Sequence, residues 1–92
     1  MNLSEICRFL DEFLEIESYS DVSNNGLQVE GKRVVERVAF AVDACMESFR
    51  AAKRVEADML IVHHGLIWGG IEYVTGITKR RLDFLLRNGI SL

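Results

Sequence analysis

Apolar residues at Leu3, Ile6, Cys7, Leu10, Phe13 and Leu14 recur at helical spacing, while Ser4, Glu5, Arg8, Asp11, Glu12 and Glu15 fill the other face. The chain is therefore predicted to open with an amphipathic helix. Asn2 is placed to cap its first turn, with Glu5 in the reciprocal position of a capping box. The periodicity then stops. Between Glu17 and Lys32, Ser18, Ser20, Asp21, Ser23, Asn24, Asn25, Gly26 and Gly31 form a polar stretch interrupted by Leu27 and Val29. Loops this long tend to be functional, and Asn25-Gly26 suits the positive φ angles that bring backbone amides near a ligand. The residues favour a plainer reading, a hairpin turning at Asn25-Gly26 with Leu27-Gln28-Val29 as a short edge strand.

A second apolar run from Val34 to Val42 sets Val38, Phe40 and Val42 on one face and Ala39 and Ala41 on the other, and closes at Asp43. It reads as a central strand. Met46, Phe49, Ala52 and Val55 then mark one face of a helix whose other face carries Glu47, Arg50, Lys53 and Arg54. Next, Met59-Leu60-Ile61-Val62 reads as a strand buried on both faces that ends in His63-His64-Gly65. A crossover of this length makes the two strands parallel, so their carboxyl ends emerge on one sheet edge. Asp43 and His63-His64 share that edge, which is where open α/β sheets place ligands.

After the histidines, Leu66-Ile67-Trp68-Gly69-Gly70 is an apolar loop suited to roofing a pocket, packing on a neighbouring subunit or joining the core. Thr78 is predicted to cap a last helix with Leu82, Leu85 and Leu86 inward, ended at Asn88-Gly89 by a left-handed cap. Lys79, Arg80 and Arg81 then fall in its first turn, as a solvated basic face or an anion contact. Ile90-Ser91-Leu92 reads as the opening of a third strand.

Composition narrows the class. Ninety-two residues at 49% hydrophobic content make one small α/β domain over 1–92, and a net charge of −3 gives no footprint for nucleic acid or an anionic membrane. No apolar run approaches the ~20 residues needed to span a bilayer. Cys7 and Cys45 lack Cys-x-x-Cys spacing and no signal peptide precedes them, so they read as reduced, partly buried residues of a cytoplasmic protein.

Of the chemically competent residues, Asp43 is expected to cap the helix that follows it rather than to ligate. The chain's two histidines are its best metal-ligand candidates. Neighbours in a strand point to opposite faces, so His63 and His64 suit two ions, or one ion and its water, better than a shared ion. Their adjacency narrowly favours a metal site over two hydrogen-bonded polar tips.

These residues resemble a known family, the NGG-one-interacting-factor-three family, whose members are often described as type 2 GTP cyclohydrolase I. The resemblance is carried by Asn25-Gly26-Leu27-Gln28-Val29-Glu30-Gly31, Val42-Asp43-Ala44, Ala57-Asp58, Ile61-Val62-His63-His64-Gly65-Leu66-Ile67-Trp68 and the basic helix ending in Asn88-Gly89-Ile90. It implies a three-layer α/β sandwich, with a mainly parallel sheet flanked by helices, as one incomplete lobe of a toroidal hexamer. It makes His63 and His64 ligands in a two-metal site of zinc, iron or manganese, and sets Asn25-Gly26-Leu27-Gln28 near that site. Further family ligands, an Asp in a His-Leu-Pro-Leu-Asp type segment and a distant His and Glu, have no counterpart here. The resemblance thus implies a truncated product, a fragment or half of a split protein, assembling as a homo-oligomer. Two functions follow: part of a metal-dependent hydrolase acting on a nucleotide such as GTP, inactive as this chain alone, or a non-catalytic metal-binding or interaction module.

Overall fold

In a computed structural model, which describes residues 1–20, 23–71 and 73–92, the element order is α1 (Leu3–Phe13), a single 3-10 turn (Ile16–Ser18), β1 (Val38–Asp43), α2 (Met46–Arg54), β2 (Met59–His64) and α3 (Gly76–Arg87). β1 and β2 are parallel, with Val38 opposite Met59, Phe40 opposite Ile61 and Asp43 opposite His64. Ser91 adds a parallel bridge at Met59 on the other side of β2, where Leu60 N–H donates to Ser91 O and Ser91 N–H to Asp58 O. This is the start of the expected third strand. It makes β2 the middle of the sheet, and among the described residues β1 lies at an edge rather than at the centre.

The pleat sorts the layers. Even-numbered Leu60 and Val62 face α2 and α3, joining a core of Val29, Phe49, Ala52, Ala57, Leu85, Ile90 and Leu92, with Ala39 and Ala41 packed against it. Odd-numbered Met59 and Ile61 face α1, where Leu3, Val35, Ile6, Cys7 and Leu10 gather. Helices thus cover both faces of a parallel sheet, the predicted three-layer α/β arrangement. Phe13 and Leu14, expected in the α1 core stripe, are exposed, as is Leu86 of α3.

Helix ends depart from expectation where caps were assigned to side chains. Asn2 is the N-cap of α1 but makes no side-chain cap bond; its main chain is tied down instead by the antiparallel pairing of residues 1–3 with 33–35. The N-cap of α2 is Cys45, not Asp43, and that of α3 is Thr75, not Thr78. Lys79, Arg80 and Arg81 consequently sit one turn into α3, away from its free amides. The C-terminal end of α3 is as its sequence predicts. Gly89 takes φ +60, its N–H donates to Leu86 O, and Ile90 N–H donates to Leu85 O, closing a Schellman motif. The same pair of bonds ends α2, with Glu56 N–H on Lys53 O and Ala57 N–H on Ala52 O, but there the left-handed residue is Glu56.

Candidate functional site

His63 and His64 close β2 and are exposed, at the same sheet edge as Asp43, which pairs in register with His64. Their ring centroids are 4.5 Å apart at an interplanar angle of 63°. Alternation along the strand gives them different neighbourhoods. His63 borders a cavity of about 440 Å3 between α1, the 23–28 segment and β2, whereas His64 lies on the α2 side, where its carbonyl accepts from Ala44 N–H. The rings nevertheless lean together past the strand end. Asp43 is exposed and outside any cap, so its carboxylate is left at the histidine edge. Among the described residues, no group of three or more His, Cys, Asp or Glu side chains is placed to hold one ion. The two imidazoles at the end of β2 are donors of a type that suits zinc or iron, and by themselves they leave further coordination positions open.

What fixes the turn after the histidines is Gln28. Its Oε1 accepts from the main-chain N–H groups of Leu66 (2.7 Å) and Ile67 (3.0 Å), and its Nε2 donates to the carbonyls of Asn24 (2.8 Å) and Ile67 (3.0 Å). One side-chain amide therefore satisfies main-chain groups on both the 23–28 segment and the turn at 66–67. Gly65 is required by this contact, since a Cβ there would fall 2.5–2.8 Å from the Gln28 amide. Trp68 adds a third tie, its indole N–H donating to Gly65 O at 2.7 Å, with the ring half exposed. Among its described residues the 17–32 stretch correspondingly forms no hairpin. Ser23 bridges Trp68, and Val29 exchanges two backbone bonds with Leu92, so its partners are distant in sequence. Gly26 does adopt a positive φ of 111°. Asp21, expected within this polar loop, lies outside the described residues.

A second polar hub was invisible in the sequence pattern. Asp58, just ahead of β2, accepts from Glu36 N–H (2.9 Å), Arg37 N–H (3.2 Å) and Lys32 Nζ (3.0 Å). The Glu36 amide first, then the Lys32 ammonium, hold its carboxyl below the usual carboxylate range. Asp58 thereby sets the chain entering β1 against the chain entering β2. The two cysteines are free thiols, as expected. Cys45, at the N-cap of α2, has its thiol pulled down by hydrogen bonding to Ser48, whereas burial pushes the Cys7 thiol up. No helix is long and apolar enough to cross a membrane among the described residues.

A family model described as Duf34/NIF3 (NGG1p interacting factor 3) matches residues 1–92. The sequence is 74% identical over 92 residues to a GTP cyclohydrolase 1 type 2 homolog of Archaeoglobus fulgidus and 58% identical to one of Pyrococcus abyssi. All of this chain is covered in both cases, but only 38% and 37% of those proteins, so it spans little more than a third of their length. Two solved structures share the fold. The crystal structure of TTHA1606 from Thermus thermophilus matches with a TM-score of 0.96 at 50% identity, and protein ybgI, described as of unknown function, with 0.93 at 39%. Each covers the whole of this chain and 38% of the other.

Proposed function

The chain belongs to the Duf34/NIF3 family, and on that footing we propose that it is the metal-binding part of a dinuclear-metal hydrolase resembling type 2 GTP cyclohydrolase I. The observation that carries the reading is the pair of exposed imidazoles, 4.5 Å apart by centroid, beyond the carboxyl end of β2. His63 and His64 each supply one nitrogen to a divalent ion such as zinc, iron or manganese. When bound, such an ion supplies Lewis acidity at the sheet edge. The chain's own contribution is placement: β2 aims the rings, Gln28 fixes the turn behind them, and the cavity beside His63 gives room for a nucleotide-sized ligand. The relatives named GTP cyclohydrolase 1 type 2 homologs support a nucleotide such as GTP as the substrate class.

Two imidazoles are too few for a tight two-metal site, so this chain by itself is inactive on GTP. The absence of a third donor among the described residues also favours a second reading, a non-catalytic module that binds metal without turning over substrate. Native mass spectrometry with metal analysis, on the parent and on His63→Ala/His64→Ala, tests the common core of both. Metal that co-purifies with the parent and is lost from the variant is the expected result; a metal-free parent refutes it. Metal-dependent GTP ring opening by the isolated chain, abolished by His63→Ala, would refute the inactivity.

A further inference from the structure

Two Asn-Gly dipeptides occur in the chain, Asn25-Gly26 and Asn88-Gly89, and the fold holds them in opposite ways. Asparagine is a thermolabile residue, and most so before glycine, because a residue without Cβ lets its main-chain nitrogen reach the neighbouring side-chain carbonyl. That attack needs two free groups: the glycine N–H must be lost to base, and the asparagine amide must swing toward it. At Asn88-Gly89 both are engaged. Gly89 N–H donates to Leu86 O at 3.2 Å and Asn88 Nδ2 to Phe84 O at 2.7 Å, within the Schellman cap of α3. The Lys32 side chain also lies against Gly89, 2.9 Å from where a Cβ would stand. At Asn25-Gly26 both groups are free. Among the described residues, neither the Asn25 side-chain amide nor Gly26 N–H takes part in a hydrogen bond. A Cβ on Gly26 would meet nothing closer than Ile16 Cδ1 at 3.6 Å, so the dipeptide has room to move.

We propose that Asn25 is a self-modification site whose product loosens the turn behind the histidines. Gly26 N bonds to Asn25 Cγ as the Cγ–Nδ2 bond breaks, and Nδ2 leaves as ammonia with the proton that Gly26 gives up. Water then opens the cyclic imide. Cleavage at Cγ leaves aspartate on the ordinary main chain, whereas cleavage at the Asn25 main-chain carbonyl leaves isoaspartate, with the chain rerouted through Cβ and Cγ. Both routes consume one water, release one ammonia and add one negative charge; nothing is oxidised or reduced.

The change falls in a segment pinned at both ends. Asn24 N–H donates to Ile67 O at 3.1 Å and Gln28 N–H to Leu92 O at 2.7 Å. The Gln28 amide links these pins, with Nε2 on Asn24 O and Oε1 accepting from Leu66 and Ile67 N–H. Aspartate keeps the length of main chain between them. Isoaspartate adds one carbon–carbon bond, about 1.5 Å of chain, to the short ring that Gln28 closes on Asn24. The Gln28 contacts at Leu66 and Ile67 then give way, and the turn after His63 and His64 is released. The inference needs no metal at the histidines and no neighbouring subunit.

Ageing of the intact chain in warm, mildly alkaline buffer, followed by tryptic mapping, tests it. Trypsin releases residues 9–32 and 88–92 as separate peptides, so the two dipeptides are read independently. Ammonia loss at Asn25 should run at least about tenfold faster than at Asn88, where the cap must open first. Fragmentation assigns the change to Asn25 rather than Asn24 and tells aspartate from isoaspartate. In urea the two sites should react at similar rates, because the fold and not the dipeptide makes the difference. Asn25→Gln, whose longer side chain disfavours ring closure, should stop the change. In the separated isoaspartate form the Leu66 and Ile67 amides should exchange hydrogen at least about tenfold faster than in the parent. Asn25→Asp, which carries the charge without the added bond, should keep near-parental exchange. Ageing of the parent supplies both products, so the result does not depend on a variant that folds. A folded chain unmodified at Asn25, or modified equally at both sites, overturns the proposal. So does a rate difference that persists in urea, an isoaspartate form with parental exchange at Leu66 and Ile67, or an aspartate form that exchanges as fast as the isoaspartate form.

Discussion

Replacing Gln28 by alanine removes four hydrogen bonds to main-chain groups, two at Leu66 and Ile67 N–H and two at Asn24 and Ile67 carbonyls. Each is worth about 0.5–1.5 kcal/mol net, and the bond to Asn24 is at the exposed end, where water can replace it. The expected loss is therefore about 2–4 kcal/mol, which for a chain of this size lowers Tm by roughly 10–20 °C. Gln28→Glu separates the two halves of the amide. A carboxylate still accepts from Leu66 and Ile67, but its second oxygen sits where Nε2 donates, facing the Asn24 and Ile67 carbonyls. At pH 7 it should lose at least as much as alanine, and acidification should restore part of the loss by protonating that oxygen. Urea unfolding followed by Trp68 fluorescence, which reports this loop, and by far-UV circular dichroism measures both variants. An alanine variant within about 0.5 kcal/mol of the parent, or a glutamate variant of parental stability at pH 7, would refute the clamp. Gly65→Ala checks the contact from the other side: combined with Gln28→Ala its cost should be less than additive by about 0.5 kcal/mol or more.

Asp58 gives a pH-dependent counterpart. Its folded pKa lies below the unfolded one, so the stabilisation is complete at neutral pH and is lost as pH falls from the ordinary carboxylate value of about 4 through the folded value. Asp58→Asn is expected to cost about 1–3 kcal/mol at pH 7 and to flatten the acid limb of a stability-against-pH curve; an unchanged limb contradicts the assignment. Glu56 ends α2 at φ 59°, a conformation that favours glycine. Glu56→Gly should raise the urea midpoint by the equivalent of about 0.5–1 kcal/mol, and a lower midpoint would show that its side chain contributes more than the strain removes.

The elements were legible wherever burial is periodic. Phe49 and Ala52 of α2, Leu60 of β2 and Leu85 of α3 are buried as their spacing required, and the β1–α2–β2 crossover puts Asp43 and the two histidines on one edge. Caps were less legible, because Asn2, Asp43 and Thr78 have the right chemistry for an N-cap, yet the helices start where tertiary pairing lets them. α1 is held by the 33–35 segment, and α2 starts two residues beyond Asp43. Gln28 was hidden for a different reason. A glutamine in a polar loop carries no periodic signal, and its partners lie 38 and 39 residues ahead.

The same distinction explains how the candidate site is built. Short-range pattern delivers the histidines to the strand end, but their setting depends on contacts that close over long sequence separations. Gln28 binds 66–67, Asp58 binds 36–37, and Gly31 lies so close to Gly89 that a Cβ would fall 2.7 Å from its carbonyl oxygen. Each of these ties the loop between α1 and β1 to a segment bordering β2. Among its described residues that loop has no helix or strand beyond its opening 3-10 turn, and so little local structure to hold it. Its order is therefore borrowed from the β2 region, and the coupling must be mutual: weakening Gln28 loosens the turn behind His63 and His64 and the 23–28 wall of the cavity together. A perturbation at the histidine edge should accordingly appear in the amides of Asn24 and Gln28 before it reaches the Phe49 and Leu85 core.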